Sequence, residues 1–119
     1  MNDNLQLHPN VIVKRDVMIK ARDGIRLATD LYLPADVSNT NPNRYPVLLH
    51  RTPYNKYEVE STLGYAHLFT RRGYVSIIQD CRGTFGSEGE VNFLIPEAED
   101  GFDTLKWIEQ QPWFNGKVG

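Results

Sequence analysis

The 119-residue chain has a single cysteine, Cys81, and no Asn-x-Ser/Thr sequon. A lone cysteine makes no internal disulfide, so nothing points to the oxidising context of a secreted domain. No apolar run approaches the roughly 18 residues of a membrane helix. The N-terminal stretch MNDNLQLHPNVIVKR lacks the basic region and apolar segment of a secretory signal. The chain therefore reads as cytoplasmic, with no membrane partner. It has no basic excess either: 13 Lys and Arg face 15 Asp and Glu, for a net charge of −2, which argues against a nucleic-acid partner. His8, His50 and His67 share no ligand spacing, so no metal is expected. Gly83, Gly86 and Gly89 lie three apart with no following GK[ST], matching neither the Walker pattern nor GxGxxG, and no nucleotide or other cofactor is expected.

What is present is the composition of one modest globular domain, 40% hydrophobic and 24% charged. Residues 1–10 read as a polar leader and residues 11–119 as an α/β unit. Apolar residues recur at near-alternate positions in Val11–Lys20 and again in Ile25–Leu33, at Ile25, Leu27, Leu31 and Leu33. Asp23-Gly24 between them predicts an antiparallel hairpin closed by a tight primed turn. The Asn- and Pro-rich segment Pro34–Pro46 reads as a surface loop.

The second half changes period. Val47–Arg51 (VLLHR) and Tyr74–Asp80 (YVSIIQD) are short continuous apolar runs of the kind buried on both faces of a parallel sheet. Between them Ser61–Gly73 predicts a helix with Ser61 as N-cap, an apolar face of Leu63, Ala66, Leu68 and Phe69, and Gly73 just past its end. A second helix is predicted within Pro96–Pro112, with Ala98, Phe102, Leu105 and Ile108 on one face and Pro112 ending it. After the turn signal Asn115-Gly116, Lys117–Gly119 predicts the start of another strand.

Ligands of open α/β sheets sit beyond the carboxyl ends of the strands, which singles out the loops TPYNKYEVE and CRGTFGSEGEVNFLI. In the second, Ser87 lies in FGSEG, where Phe85 replaces the first glycine of GxSxG and no strand leads directly into the serine, so Ser87 is not read as a nucleophile. Cys81 has no visible histidine partner and reads as a small residue packed at a strand end. Asp80 and Arg82 read as structural support, paired with each other or binding loop backbone, with the glycines permitting a sharp turn.

Together, RTPYNK after a strand, the DxRGxxxSxG loop formed by Asp80, Arg82, Gly83, Ser87 and Gly89, and the terminal WFNGKVG resemble the X-prolyl dipeptidyl peptidase and cocaine-esterase-like serine hydrolases. That group includes α-amino acid ester hydrolases and glutaryl-cephalosporin acylases. The resemblance covers Val17–Gly119 and implies the N-terminal part of an α/β-hydrolase fold, with the nucleophile elbow following the fifth strand. It also implies that Tyr54 is an oxyanion-hole donor, with Asp80, Arg82 and Gly83 supporting the site. Thr62 and Tyr65 are read as packing residues that could flank an acyl pocket.

On this resemblance the expected activity is cleavage of an ester, amide or peptide through an acyl-enzyme, the substrate being a small molecule. The 119 residues alone are expected to be inactive, because serine, acid and histidine would come later. The competing reading is a non-catalytic binding module built from a hydrolase half-fold. Its weakness is the unpaired edge expected on the third strand, an aggregation liability.

Overall fold

The computed structural model describes residues 11–37, 43–91 and 95–119. The predicted leader, His8 and the middle of the 34–46 loop lie outside them. Five strands, β1 (Val11–Lys20), β2 (Arg26–Pro34), β3 (Tyr45–Thr52), β4 (Val75–Asp80) and β5 (Phe114–Val118), form one sheet in the order β1-β2-β4-β3-β5. The β1-β2 and β2-β4 pairs are antiparallel, while β4-β3 and β3-β5 are parallel. The described residues also form three helices: α1 (Lys56–Leu63), α2 (Tyr65–Thr70) and α3 (Ile95–Glu109).

The sheet is covered on both faces. Ile108 of α3 and Trp113 pack with Leu31, Leu33, Val47, Val75 and Ile77. Ala66 of α2 packs with Tyr32 and Ile78 on the other face, with Val59 of α1 against them. Double coverage explains why β4 is buried at every position and why β2 is buried from Leu27 to Pro34. The alternation read in Ile25–Leu33 understates this, because Thr29, Asp30 and Tyr32 are buried too.

Several local expectations change. The β1-β2 connection is not a two-residue primed turn: of its residues Gly24 has positive φ (90°), and Gly24 N–H donates to the Ala21 carbonyl at 2.9 Å while Ala21 N–H donates to the Ile25 carbonyl. These bonds enclose a three-residue loop ending in a left-handed glycine. The predicted single helix from Ser61 begins earlier, at Lys56, and is cut in two. Asn55 caps α1 through its side-chain oxygen, and Gly64 turns left-handed (φ 66°) between α1 and α2. Leu63, Leu68 and Phe69 of the predicted apolar face are exposed. On α3 the buried positions are Asp100, Thr104 and Ile108, spaced four apart, whereas Ala98 and Phe102 face outward. The buried face departs from the apolar period because two of its residues, Asp100 and Thr104, are polar and find partners in Arg82 and Gln79.

The fifth strand is longer than Lys117–Gly119. Tyr45 pairs with Phe114 and Val47 with Val118, so Asn115-Gly116 marks a bulge inside β5 and not a turn before it. Gly119 N–H donates to the Val47 carbonyl and its own carbonyl accepts Leu49 N–H, both at 2.9 Å. The edge of β3 expected to stand open is therefore paired as far as Leu49.

Candidate active site

The parallel strands β3 and β4 end side by side, Thr52 opposite Asp80. From Thr52 the chain turns through Pro53, Tyr54 and Asn55 into α1, and side-chain acceptors hold the turn. Tyr54 N–H donates to Thr52 Oγ1 at 3.0 Å, Lys56 N–H to Asp80 Oδ1 at 2.9 Å, and Tyr57 N–H to Asn55 Oδ1 at 3.0 Å. Asn55 adopts φ 75°, a left-handed conformation that asparagine tolerates better than most residues. Tyr54 stands on this fixed turn with its side chain in the open, 76% exposed.

Asp80 joins two loops. One carboxylate oxygen accepts Lys56 N–H, and the other accepts Gly86 N–H at 3.1 Å. Ser87, one residue on, donates its hydroxyl to the Asp80 carbonyl at 2.6 Å and accepts Ala28 N–H at 2.8 Å. Those two bonds make Ser87 a buried tie between β4 and β2. Gly83, at φ 75°, passes so close to the returning loop that an added Cβ would lie 2.3 Å from the Val91 nitrogen. Only glycine fits there.

Arg82 does not pair with Asp80. Its guanidinium holds Asp100 of α3 through Nε and Nη2, both at 2.8 Å, and Asp23 of the hairpin loop at 2.8 and 3.1 Å. These two carboxylates raise its pKa further above the ordinary arginine value. Nearby, Arg51 donates to Gln79 Oε1 at 2.6 Å and to Glu97 at 3.2 Å. The start of α3 is thus tied to the ends of β3 and β4 by charge-assisted bonds. Cys81 is buried among these groups, and burial, with Glu97 beside it, pushes its thiol up to about 12.

Three residues of this region carry no role in the sequence reading: Lys56, Asp16 and Asp30. Lys56 is fully buried, its ammonium 2.8 Å from Asp16 Oδ1, 3.2 Å from Asp30 Oδ1 and 3.8 Å from Asp80 Oδ2. Asp16 reaches it from a bulge in β1, where Arg15 and Asp16 together oppose Asp30 and Asp16 takes φ 54°. Asp30 also accepts Arg15 Nη1 and Asp16 N–H, each at 3.0 Å. Burial by itself would lower the lysine pKa, but the bonds to Asp16 and Asp30 outweigh it and leave the pKa raised. The one available signal was Asp30, a charge in the middle of an apolar strand.

Thr62 is exposed on α1, while Tyr65 of α2 hydrogen-bonds His50 Nδ1 and lines a cavity of about 180 Å³ with Leu48, His50, Phe69, Ser76 and Gly119. The β3 residues that line it are Leu48, Leu49 and His50, and no residue from Thr52 to Lys56 does. It flanks the sheet and does not coincide with the Tyr54 turn.

With two core faces, a Tyr-bearing turn after β3 and a glycine-bearing loop after β4 in place, the comparison with known proteins is decisive. Residues 23–119 match the family described as X-Pro dipeptidyl-peptidase (S15 family). The chain belongs to that family. The cocaine esterase of Rhodococcus sp. (strain MB1 Bresler) is 46% identical over 114 residues, which cover 92% of this chain and 19% of that protein. A solved α-amino acid ester hydrolase superposes with a TM-score of 0.74 at 30% identity over 92% of this chain and 20% of its own. An aminopeptidase from a marine sediment Thaumarchaeota archaeon shares the fold, with a TM-score of 0.75 at 24% identity over 99% of this chain and 22% of its own. This S15-family chain has the strand and helix order of an α/β-hydrolase fold and spans about a fifth of the length of the curated relatives it matches. No helix among its described residues is long and apolar enough to cross a membrane.

Proposed function

We propose that this chain supplies the oxyanion-hole half of a serine hydrolase that cleaves an ester or amide of a small molecule or peptide through an acyl-enzyme. A serine, activated by a histidine that an acid orients, attacks the substrate carbonyl; negative charge gathers on its oxygen while the Tyr54 hydroxyl donates to it. The intermediate collapses and expels the alcohol or amine, which takes the proton the histidine received from the serine. Water, deprotonated by the same histidine, then releases the acyl group from the serine as the acid. The nucleophile, histidine and acid are assigned to sequence after Gly119. Neither Ser87, bonded on both sides, nor Cys81, buried with its thiol held protonated, suits the part of nucleophile.

One observation carries the reading: Tyr54 stands exposed at the carboxyl end of a central parallel strand on a turn whose backbone is pinned by Thr52, Asp80 and Asn55. A donor useful in a transition state must be fixed before charge develops, and a rigid phenol on a fixed turn meets that need. The non-catalytic module is disfavoured, since the chain lies in a hydrolase family and its β3 edge is paired by β5.

The test is Tyr54→Phe in the protein that carries this segment together with its nucleophile, assayed on an activated ester. The expected loss in kcat is about 10²- to 10³-fold, the usual effect of deleting one oxyanion donor. Folding should be intact, because the ring is largely solvent-exposed. Wild-type kcat in the variant would remove Tyr54 from the reaction.

A further inference from the structure

The Lys56 ammonium is an expensive thing to bury. A buried ion cluster seldom improves on apolar packing for stability alone. Here it draws together three carboxylates from three strands, Asp16 of β1, Asp30 of β2 and Asp80 at the end of β4, and the Tyr57 ring lies 3.8 Å from the ammonium. Lys56 is also gripped by its backbone, through the N–H bond to Asp80. The residue is therefore fixed at both ends, two positions after Tyr54.

We propose that Lys56 is the positioning residue for Tyr54: its ammonium, locked among Asp16, Asp30 and Asp80, fixes the start of α1 and so the point in space to which the Tyr54 phenol donates. The proposal rests on Tyr54 being the oxyanion donor. Its chemistry is indirect, since Lys56 is fully buried and cannot touch substrate. The consequence is kinetic, because a shift of about 1 Å in a catalytic group can cost on the order of 10²-fold in rate. The same carboxylate of Asp80 holds Gly86, so a change at Lys56 should also be felt in the loop carrying Phe85, which is exposed and held at φ 45°.

A double-mutant cycle in the active enzyme separates positioning from mere support. Lys56→Met is expected to lower kcat on an activated ester by roughly 10- to 100-fold, with KM changed less than about threefold. Combined with Tyr54→Phe, it should lower kcat little further, by less than about threefold, because no donor remains to be misplaced. Equal fold-losses in both backgrounds, or an unchanged kcat in Lys56→Met, would overturn the proposal while leaving Tyr54's role intact. An unchanged kcat in Tyr54→Phe alone would refute the oxyanion reading and this inference with it. If Lys56→Met does not fold, Asp16→Asn loosens the ammonium from a half-exposed position, and the same cycle applies.

Discussion

Asp80→Asn tests the carboxylate on which both site loops hang. The side chain is buried, and its two oxygens accept Lys56 N–H at 2.9 Å and Gly86 N–H at 3.1 Å. An asparagine of the same shape keeps one oxygen and turns an NH2 toward the other backbone donor. One charge-assisted bond is lost, worth about 1.5–3 kcal/mol, and a buried N–H is left facing another donor. Lys56 also loses a countercharge at 3.8 Å, but the neutral amide escapes the desolvation that the carboxylate bears, and the two effects largely offset. The net expectation is destabilisation of about 2–4 kcal/mol. With a urea m-value of about 1.5–2 kcal/mol/M, the unfolding midpoint followed by circular dichroism should fall by about 1–2.7 M with m unchanged. A shift below about 0.3 M would show that the two backbone bonds do not depend on the charge, refuting the assignment of Asp80 as the tie between the loops.

Three further outcomes are expected. Cys81, with its thiol pushed up to about 12 by burial and Glu97, should react with a disulfide reagent at pH 8 on the order of 10³-fold more slowly in the folded than in the unfolded protein; a difference under about tenfold would contradict its placement. Gly83→Ala, whose Cβ would strike the Val91 backbone at 2.3 Å, should prevent folding or cost well over about 3 kcal/mol, while Gly24→Ala, equally left-handed but with open space around it, should cost about 1–2 kcal/mol in a urea titration. Asp16 has its pKa lowered, first by the bond to Lys56, so its contribution to stability is full above about pH 4 and is lost as pH falls through the lower folded value. Asp16→Asn should therefore be less stable at pH 7 and show a shallower decline below pH 4, measured by midpoints across that range; parallel declines would contradict the pairing.

The strands were legible in the sequence because their signals are local: continuous apolar runs for β3 and β4, apolar recurrence in β1, and Gly24 for the turn. The helices were legible as existing, less so in their limits. Asn55, the N-cap, lies before the Ser61–Gly73 stretch that the apolar period marks, and Gly64, the left-handed break, lies within that stretch without interrupting its period. What stayed hidden was polar burial. Lys56, Asp100 and Thr104 look like surface residues in any short window, and they are buried because partners from distant segments satisfy them. Lys56 meets Asp16 across 40 positions and Arg82 meets Asp23 across 59. No periodicity encodes such pairs. Tyr54 and the DxRG loop stood out through resemblance to a family, whereas the clamp beneath them required the folded arrangement.

The most direct measurement concerns the charge that Tyr54 is held to stabilise. A boronic acid that adds to the serine places a tetrahedral oxygen where the oxyanion forms, and its affinity can be set against KM for an ester of the same acyl shape. In Tyr54→Phe the boronate should bind about 10²- to 10³-fold more weakly while KM changes little, because the phenol's bond strengthens only as the carbonyl oxygen becomes anionic. Equal boronate affinity in wild type and variant would contradict Tyr54 as the oxyanion donor.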